Sequence, residues 1–215
     1  MNIEHKNVTP KIHLLIFNSQ KEVASTFLRF QEHYESPKFK DKAFSLEEFK
    51  AWYIQNSPKG KETSEFTYYS DWNGFNIPSY VMKPFYEGKF NPLSEQEKNI
   101  LIKFKNEPEP FYIIGVHRGV KNLRAYLIHE VAHGLFYTDK VYRAEVLNYL
   151  SQYPIDKIKE EFRSKAGYHE EVLDDEVHAH TIDTDRKMKT PIPRGLVIKL
   201  RRLYHKHLET NKAIF

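Results

Sequence analysis

The strongest constraint in the sequence is a nearly uncharged stretch that carries two histidines and a glutamate. Residues 126–136 read YLIHEVAHGLF, with no proline and no charged residue except Glu130. As a helix this stretch is apolar on nearly every side, so it must be buried together with His129 and His133. A buried imidazole needs a polar partner. Two of them four residues apart, beside a carboxylate, are better explained by a shared metal ion than by separate hydrogen bonds.

Helix geometry gives the three side chains different roles. Residues four apart are displaced by about 40° around the helix axis and about 6 Å along it, so His129 and His133 can share one metal ion. Glu130 points about 100° away, which favours a general base over a third ligand on the same face. The chain contains no cysteine, so any transition metal must be held by His, Asp or Glu.

Residues 129–133, HEVAH, resemble the HExxH signature of the zincin metallopeptidases. The resemblance covers this helix and a strand before it. It implies that His129 and His133 bind zinc, that Glu130 is the general base, and that the reaction is hydrolysis of a peptide bond. It also implies an edge strand that pairs with an extended peptide substrate, and the segment FYIIGVHRG (111–119) is the candidate.

Zincins differ in their third protein ligand. The metzincin form requires glycine three residues and histidine six residues after the second histidine, where this chain has Phe136 and Asp139. The gluzincin form uses a glutamate on a later helix, and the acidic segment 167–185 provides candidates. Within it, Glu176 lies on the stripe expected to face inward, and the small Ala179 beside it lets two helices approach closely. We therefore predict Glu176 as the third ligand.

Other third ligands stay open, namely His180, Asp175 and, as in aspartate-zincins, Asp139, since zinc accepts each donor type. Gluzincins often place an aspartate four residues after the ligand glutamate, bonded to a zinc histidine. This chain has His180 there, so Asp183 or Asp175 is expected to serve instead.

Three side chains between the two helices are weaker candidates for stabilising an oxyanion, because each is more typical of packing or surface contacts: Tyr142, Arg143 and Tyr149.

Capping boxes and apolar patterns locate the remaining elements. Ser-x-x-Glu boxes that open helices begin at Ser19, Ser45 and Ser94. Strands are predicted at 11–19 and 111–119, and the aromatic segment 66–90 indicates short strands and turns whose rings form core. After the HExxH helix, amphipathic patterns predict further helices in YTDKVYRAEVLNYLSQYP, IDKIKEEFRSKAG and PIPRGLVIKLRRLYHKHLETN.

This order of elements predicts an α+β fold. By its resemblance the fold would be zincin-like, with a small mixed or antiparallel sheet packed on a helical subdomain that carries the HExxH helix. We expect a single metallopeptidase domain over residues 1–215. Its N-terminal part, 1–110, would be mixed α/β, and 111–215 would hold the active-site strand and be mainly helical.

We predict a zinc-dependent metallopeptidase acting on a peptide or protein substrate. Two other classes remain: a non-catalytic zinc-binding interaction or scaffold protein, and a basic nucleic-acid-binding protein with an incidental HExxH. The net charge of +4 is modest, and the basic residues of 186–212 are typical of a solvated helix face, so nucleic acid is not the favoured partner.

No apolar run approaches the roughly 18 residues of a membrane span, and the start lacks a signal peptide, so we expect a soluble, cytoplasmic protein without a membrane partner. Export by a signal-independent route stays open.

Overall fold

A computed structural model describes residues 3–166, 170–183 and 189–211. These residues form a four-stranded sheet and eleven α-helices, which confirms the α+β class. The chain divides into two compact units, Met1–Lys6 with Leu14–Lys121 and Asn7–His13 with Asn122–Phe215. The zincin-like fold and the single domain over 1–215 stay predictions. Among the described helices, none is both long and apolar enough to cross a membrane.

Up to residue 121 the chain forms two strands, four α-helices, a third strand, two α-helices and a fourth strand, in that order. The strands are β1 (Glu4–Thr9), β2 (Ile12–Phe17), β3 (Gly74–Pro78) and β4 (Tyr112–His117). The helices are α1 (Gln20–Glu35), α2 (Leu46–Asn56), α3 (Pro58–Thr63), α4 (Tyr68–Asp71), α5 (Lys83–Tyr86) and α6 (Glu95–Phe104). All three predicted capping boxes are confirmed at the starts of α1, α2 and α6. The two predicted strands are confirmed as β2 and β4.

The sheet has the strand order β1-β2-β4-β3, and β3 pairs with β4 in antiparallel register. Strand β4 is thus hydrogen-bonded to a strand on each side. The prediction that segment 111–119 offers a free edge to a substrate peptide is therefore wrong, because its backbone groups are already used within the sheet.

Aromatic side chains build the core of the first unit. The segment 66–90 forms α4, β3 and α5. Four of its rings are buried in the core as predicted, those of Tyr68, Phe75, Phe85 and Phe90, whereas Trp72, Tyr80 and Tyr86 are about half exposed. The rings of Phe27 and Phe75 stack at 5.9 Å, and those of Phe85 and Phe90 stack at 3.8 Å. Gly115 in β4 makes this packing possible, because a Cβ atom there would lie 2.5 Å from the Phe27 ring.

The second unit is mainly helical. Its helices are α7 (Leu123–Thr138), α8 (Lys140–Leu150), α9 (Asp156–Ala166), α10 (Leu173–Ile182) and α11 (Arg194–Thr210). These bounds confirm the helices predicted after the HExxH stretch. Helix α10 packs against each of the other four helices, and α7 also packs against α8. Residues 167–169, 184 and 185 of the predicted acidic segment lie outside the described residues.

Candidate metal centre

The HExxH stretch lies in the middle of α7 and is buried, as its composition predicts. Relative exposure is 3% for His129, 4% for Glu130 and 8% for His133. The apolar neighbours Val131 and Ala132 are fully buried, so α7 has no solvent-facing side at this level. Both imidazoles therefore depend on protein groups or on a bound ion for their polar contacts.

Helix α10 supplies the carboxylates that face these histidines. Its first turn contains Asp174, Asp175 and Glu176, a position where the positive end of the helix dipole favours negative charge. Glu176 is 8% exposed and Ala179 is fully buried. The small Ala179 side chain allows α10 to lie close to α7, in keeping with the stripe read from the sequence.

His129, His133 and Glu176, which we call the metal cluster, are brought together by the fold. Their ligand atoms all lie within 4.8 Å of one another, so the cluster can hold a metal ion. The Nε2 atoms of His129 and His133 are 3.1 Å apart, and Glu176 Oε1 is 3.8 Å from His133 Nε2. Two imidazoles and a carboxylate around tetrahedral zinc are separated by roughly 3.3 Å, so the donor types and spacings fit zinc with small shifts.

Asp175 lies behind His133, at the ring nitrogen that does not face His129. Its Oδ2 atom is 2.9 Å from His133 Nδ1. Burial by itself lowers the pKa of His133, but the negative charges of Asp175 and Glu176 outweigh it and raise the pKa to about 10. Burial also raises the pKa of Asp175, and the charge of His133 more than reverses this and holds it below its usual range. Without metal, the two therefore form an ion pair at neutral pH.

Asp183 has the corresponding place behind His129. Its Oδ2 atom lies 3.9 Å from His129 Nδ1, and the carboxylate is buried. We expected Asp183 or Asp175 to support the zinc histidines. In the structure Asp183 lies near His129 and Asp175 lies near His133. Carboxylates in such positions orient an imidazole and increase its basicity towards a metal. Asp175 is bonded to Nδ1, so it is poorly placed as the third ligand.

His180 borders the metal cluster on α10. Its Nε2 atom is 3.7 Å from Glu176 Oε2, and its ring centroid is 5.0 Å from that of His129. His180 stays the alternative ligand.

Glu130 follows His129 on α7 and is buried. It lies close enough to His133 for its negative charge to contribute to the raised pKa of that histidine. Its role as general base stays a prediction.

One alternative third ligand, Asp139, and one oxyanion candidate, Tyr142, make hydrogen bonds outside the metal cluster. Asp139 caps α8 by accepting hydrogen bonds of 3.0 Å from the backbone N–H groups of Val141 and Tyr142, and it lies 2.8 Å from His207 Nδ1. The alternative of Asp139 as third ligand is therefore wrong. Tyr142 is fully buried with its hydroxyl 2.6 Å from His178 Nε2, so it is not available to a substrate oxyanion.

The remaining oxyanion candidates are Tyr149 and Arg143 on α8. The Lys199 ammonium lies 5.2 Å from the centre of the Tyr149 ring, a surface contact of the kind expected. Arg143 is half-buried on α8. Sequence reasoning missed His178, which is fully buried beside Asp175. The spacing of three residues between them on one helix was the available signal.

No protein-family model, no curated protein and no solved structure matches the chain.

Proposed function

We propose that the protein is a zinc-dependent metallopeptidase. The observation that carries the proposal is the convergence of His129, His133 and Glu176 in a buried cluster whose first histidine is followed directly by Glu130. Two imidazoles and one carboxylate leave a tetrahedral zinc ion with an open position, which is typical of catalytic sites. The substrate class we propose is a peptide or protein.

The chain's own groups divide the work. His129, His133 and Glu176 would hold the zinc ion, with the Asp175 carboxylate fixing the His133 ring through Nδ1. Zinc, when bound, supplies Lewis acidity towards water and a carbonyl oxygen. Glu130 takes the proton of the attacking water as its oxygen bonds to the peptide carbonyl carbon. The same carboxyl then gives that proton to the amide nitrogen as the C–N bond breaks.

Substitution of Glu130 by glutamine tests this function, because it removes the base while keeping the size of the side chain. We expect Glu130→Gln to retain stoichiometric zinc and to lose cleavage of a peptide library by at least about a hundredfold. Glu160→Gln, which alters an exposed carboxylate on α9, is the matched control and should cleave normally. Equal cleavage by wild type and Glu130→Gln, or no cleavage by either, would count against the peptidase.

A structural zinc site without turnover is the second candidate function. The position of His180 favours it, because a fourth protein ligand would close the coordination of zinc. His180→Ala separates the two candidates. A structural site should lose zinc affinity by a factor comparable to that of His129→Ala, whereas a site with three protein ligands should keep affinity within a few-fold.

A further inference from the structure

We propose that Tyr142 and His178 are positioning residues for the metal cluster, acting through Asp175 on His133. Together they would hold His133 with its Nε2 lone pair directed towards the metal. The inference rests on the zinc site proposed above, and it adds two residues, one of them on a helix that contributes no ligand. It also gives Tyr142 a function in place of the oxyanion role.

An unbroken series of polar contacts joins Tyr142 to His133. The hydroxyl of Tyr142 on α8 lies 2.6 Å from Nε2 of His178 on α10. Nδ1 of His178 lies 3.5 Å from Oδ1 of Asp175. The other carboxylate oxygen of Asp175 lies 2.9 Å from Nδ1 of His133 on α7. Three helices thus meet in one chain of hydrogen bonds.

The chemistry of these groups determines which atom donates and which accepts in each of these hydrogen bonds. An ionised carboxylate only accepts, so both histidines must donate Nδ1–H to Asp175. A neutral imidazole carries one N–H, so Nε2 of His178 has a lone pair and accepts from the Tyr142 hydroxyl. By the same rule, a neutral His133 that donates from Nδ1 has its lone pair on Nε2. That is the nitrogen that faces His129 and Glu176 in the metal cluster.

The surroundings make this arrangement rigid. Tyr142 and His178 are both fully buried, so water does not compete for their hydrogen bonds. The ring of Phe136 stacks on His178 with 5.7 Å between centroids. Asp139 fixes the start of α8 through two backbone N–H groups, one of them that of Tyr142 itself. The tyrosine hydroxyl therefore approaches His178 from a fixed position.

The zinc affinity of the 215-residue chain, measured by competition with a chromogenic chelator, tests the inference. We expect Asp175→Ala to weaken zinc binding by about 10–100-fold, as for loss of other groups that orient a metal-bound histidine. Tyr142→Phe should weaken it by about 3–10-fold. In the double variant, Tyr142→Phe should add nothing to the effect of Asp175→Ala, because the hydroxyl acts only through that carboxylate.

Tyr204→Phe is the matched control. Tyr204 is also buried, and its hydroxyl donates to the backbone carbonyl of Ile128 on α7 at 3.3 Å, but it does not belong to the chain of contacts. The Tyr204→Phe substitution removes a buried hydroxyl that contacts α7, so it measures the general effect of loosening the packing of that helix. We expect zinc affinity to remain within about twofold of wild type.

Imidazole ¹⁵N chemical shifts of the zinc-loaded protein provide a readout that a merely structural role would not move. In wild type, His133 and His178 should both be protonated at Nδ1. In Tyr142→Phe, His178 should stay protonated at Nδ1, but its Nε2 resonance should move towards that of an imidazole lone pair without a hydrogen bond, while the fold, followed by circular dichroism, is unchanged.

Each result bears on a different proposal. Equal losses in Tyr142→Phe and Tyr204→Phe, additive losses in the double variant, or no change in Tyr142→Phe would overturn the positioning role while leaving the zinc site intact. A folded wild type that takes up no zinc would overturn both this inference and the proposed function.

Discussion

Asp175 accepts a hydrogen bond of 2.9 Å from Nδ1 of His133, on the opposite side of the ring from the neighbour His129. In the metal-free protein His133 is protonated at neutral pH, since its pKa is raised to about 10. Its second N–H is then free to donate to His129 Nε2, 3.1 Å away. The same two nitrogens that would bind a metal are thus held together by a proton in its absence.

Zinc binding should therefore release about one proton from His133 near pH 7.5. Because the raised pKa keeps the proton on at neutral pH, apparent affinity should rise about tenfold per pH unit between roughly pH 6 and 8. Titration calorimetry in buffers of different ionisation enthalpy measures the released proton. His205→Gln, which alters an exposed histidine on α11, should release the same number. Binding without proton release would contradict the ion pair of His133 and Asp175.

Replacement of Glu176 tests the third ligand. Glu176→Gln keeps the shape of the side chain but removes its charge, and a neutral amide is a weak zinc ligand. We expect zinc affinity to fall by about 100-fold or more, in the chelator competition assay. Glu171→Gln, an exposed glutamate just before α10, is the matched control and should bind zinc as wild type does. If both variants bind equally, His180 becomes the preferred third ligand.

Local signals account for the part of the structure that the sequence predicts well. Each capping box needs only a serine and a glutamate three residues apart, and all three boxes form. The burial of α7 follows from its own composition, because a helix that is apolar all round has no stable exposed orientation. The inward position of Glu176 follows in the same way from the stripe on α10.

Contacts between distant segments account for what the sequence does not predict. The interior position of β4 depends on which strands pair, and a short apolar run looks the same at an edge or in the middle of a sheet. The hydrogen bond between Tyr142 and His178 joins two helices and residues that are 36 positions apart in the sequence, so no helical spacing rule indicates it. Asp139 follows α7 at a ligand-like position but caps the next helix instead.

The stability of the first unit should depend on the ionisation of Glu32. Burial raises its pKa to about 7, against 4.5 for the unfolded chain, although hydrogen bonds from Tyr68 and Ser36 oppose the shift. Below pH 4.5 the carboxyl is protonated in both states and costs nothing. As the pH rises from there to about 7 the unfolded state ionises first, so the free energy of unfolding should fall by about 1–3 kcal/mol.

Urea unfolding at about pH 5 and pH 8, with chelator present, checks this pH dependence. Glu32→Gln keeps an acceptor for Tyr68 but cannot ionise, so it should be more stable than wild type at the higher pH and show a flatter profile. Glu35→Gln, which alters an exposed glutamate at the end of α1, should follow the wild-type curve. A wild-type profile that Glu32→Gln reproduces unchanged would rule out Glu32 as its origin.

The buried ion pair between Arg29 and Glu97 should be the most sensitive polar contact of the first unit. The Arg29 Nε atom lies 2.7 Å from Glu97 Oε1, and its Nη1 donates to the Phe90 carbonyl at 2.9 Å. Arg29→Leu leaves the Glu97 carboxylate buried without its positive partner, so we expect a loss of about 3–5 kcal/mol in the free energy of unfolding. Lys98→Leu removes an exposed pair with Glu95 on the same helix and should cost less than about 1 kcal/mol in the same urea titration. Equal losses in the two variants would mean that burial of the Arg29 pair contributes nothing beyond an ordinary surface contact.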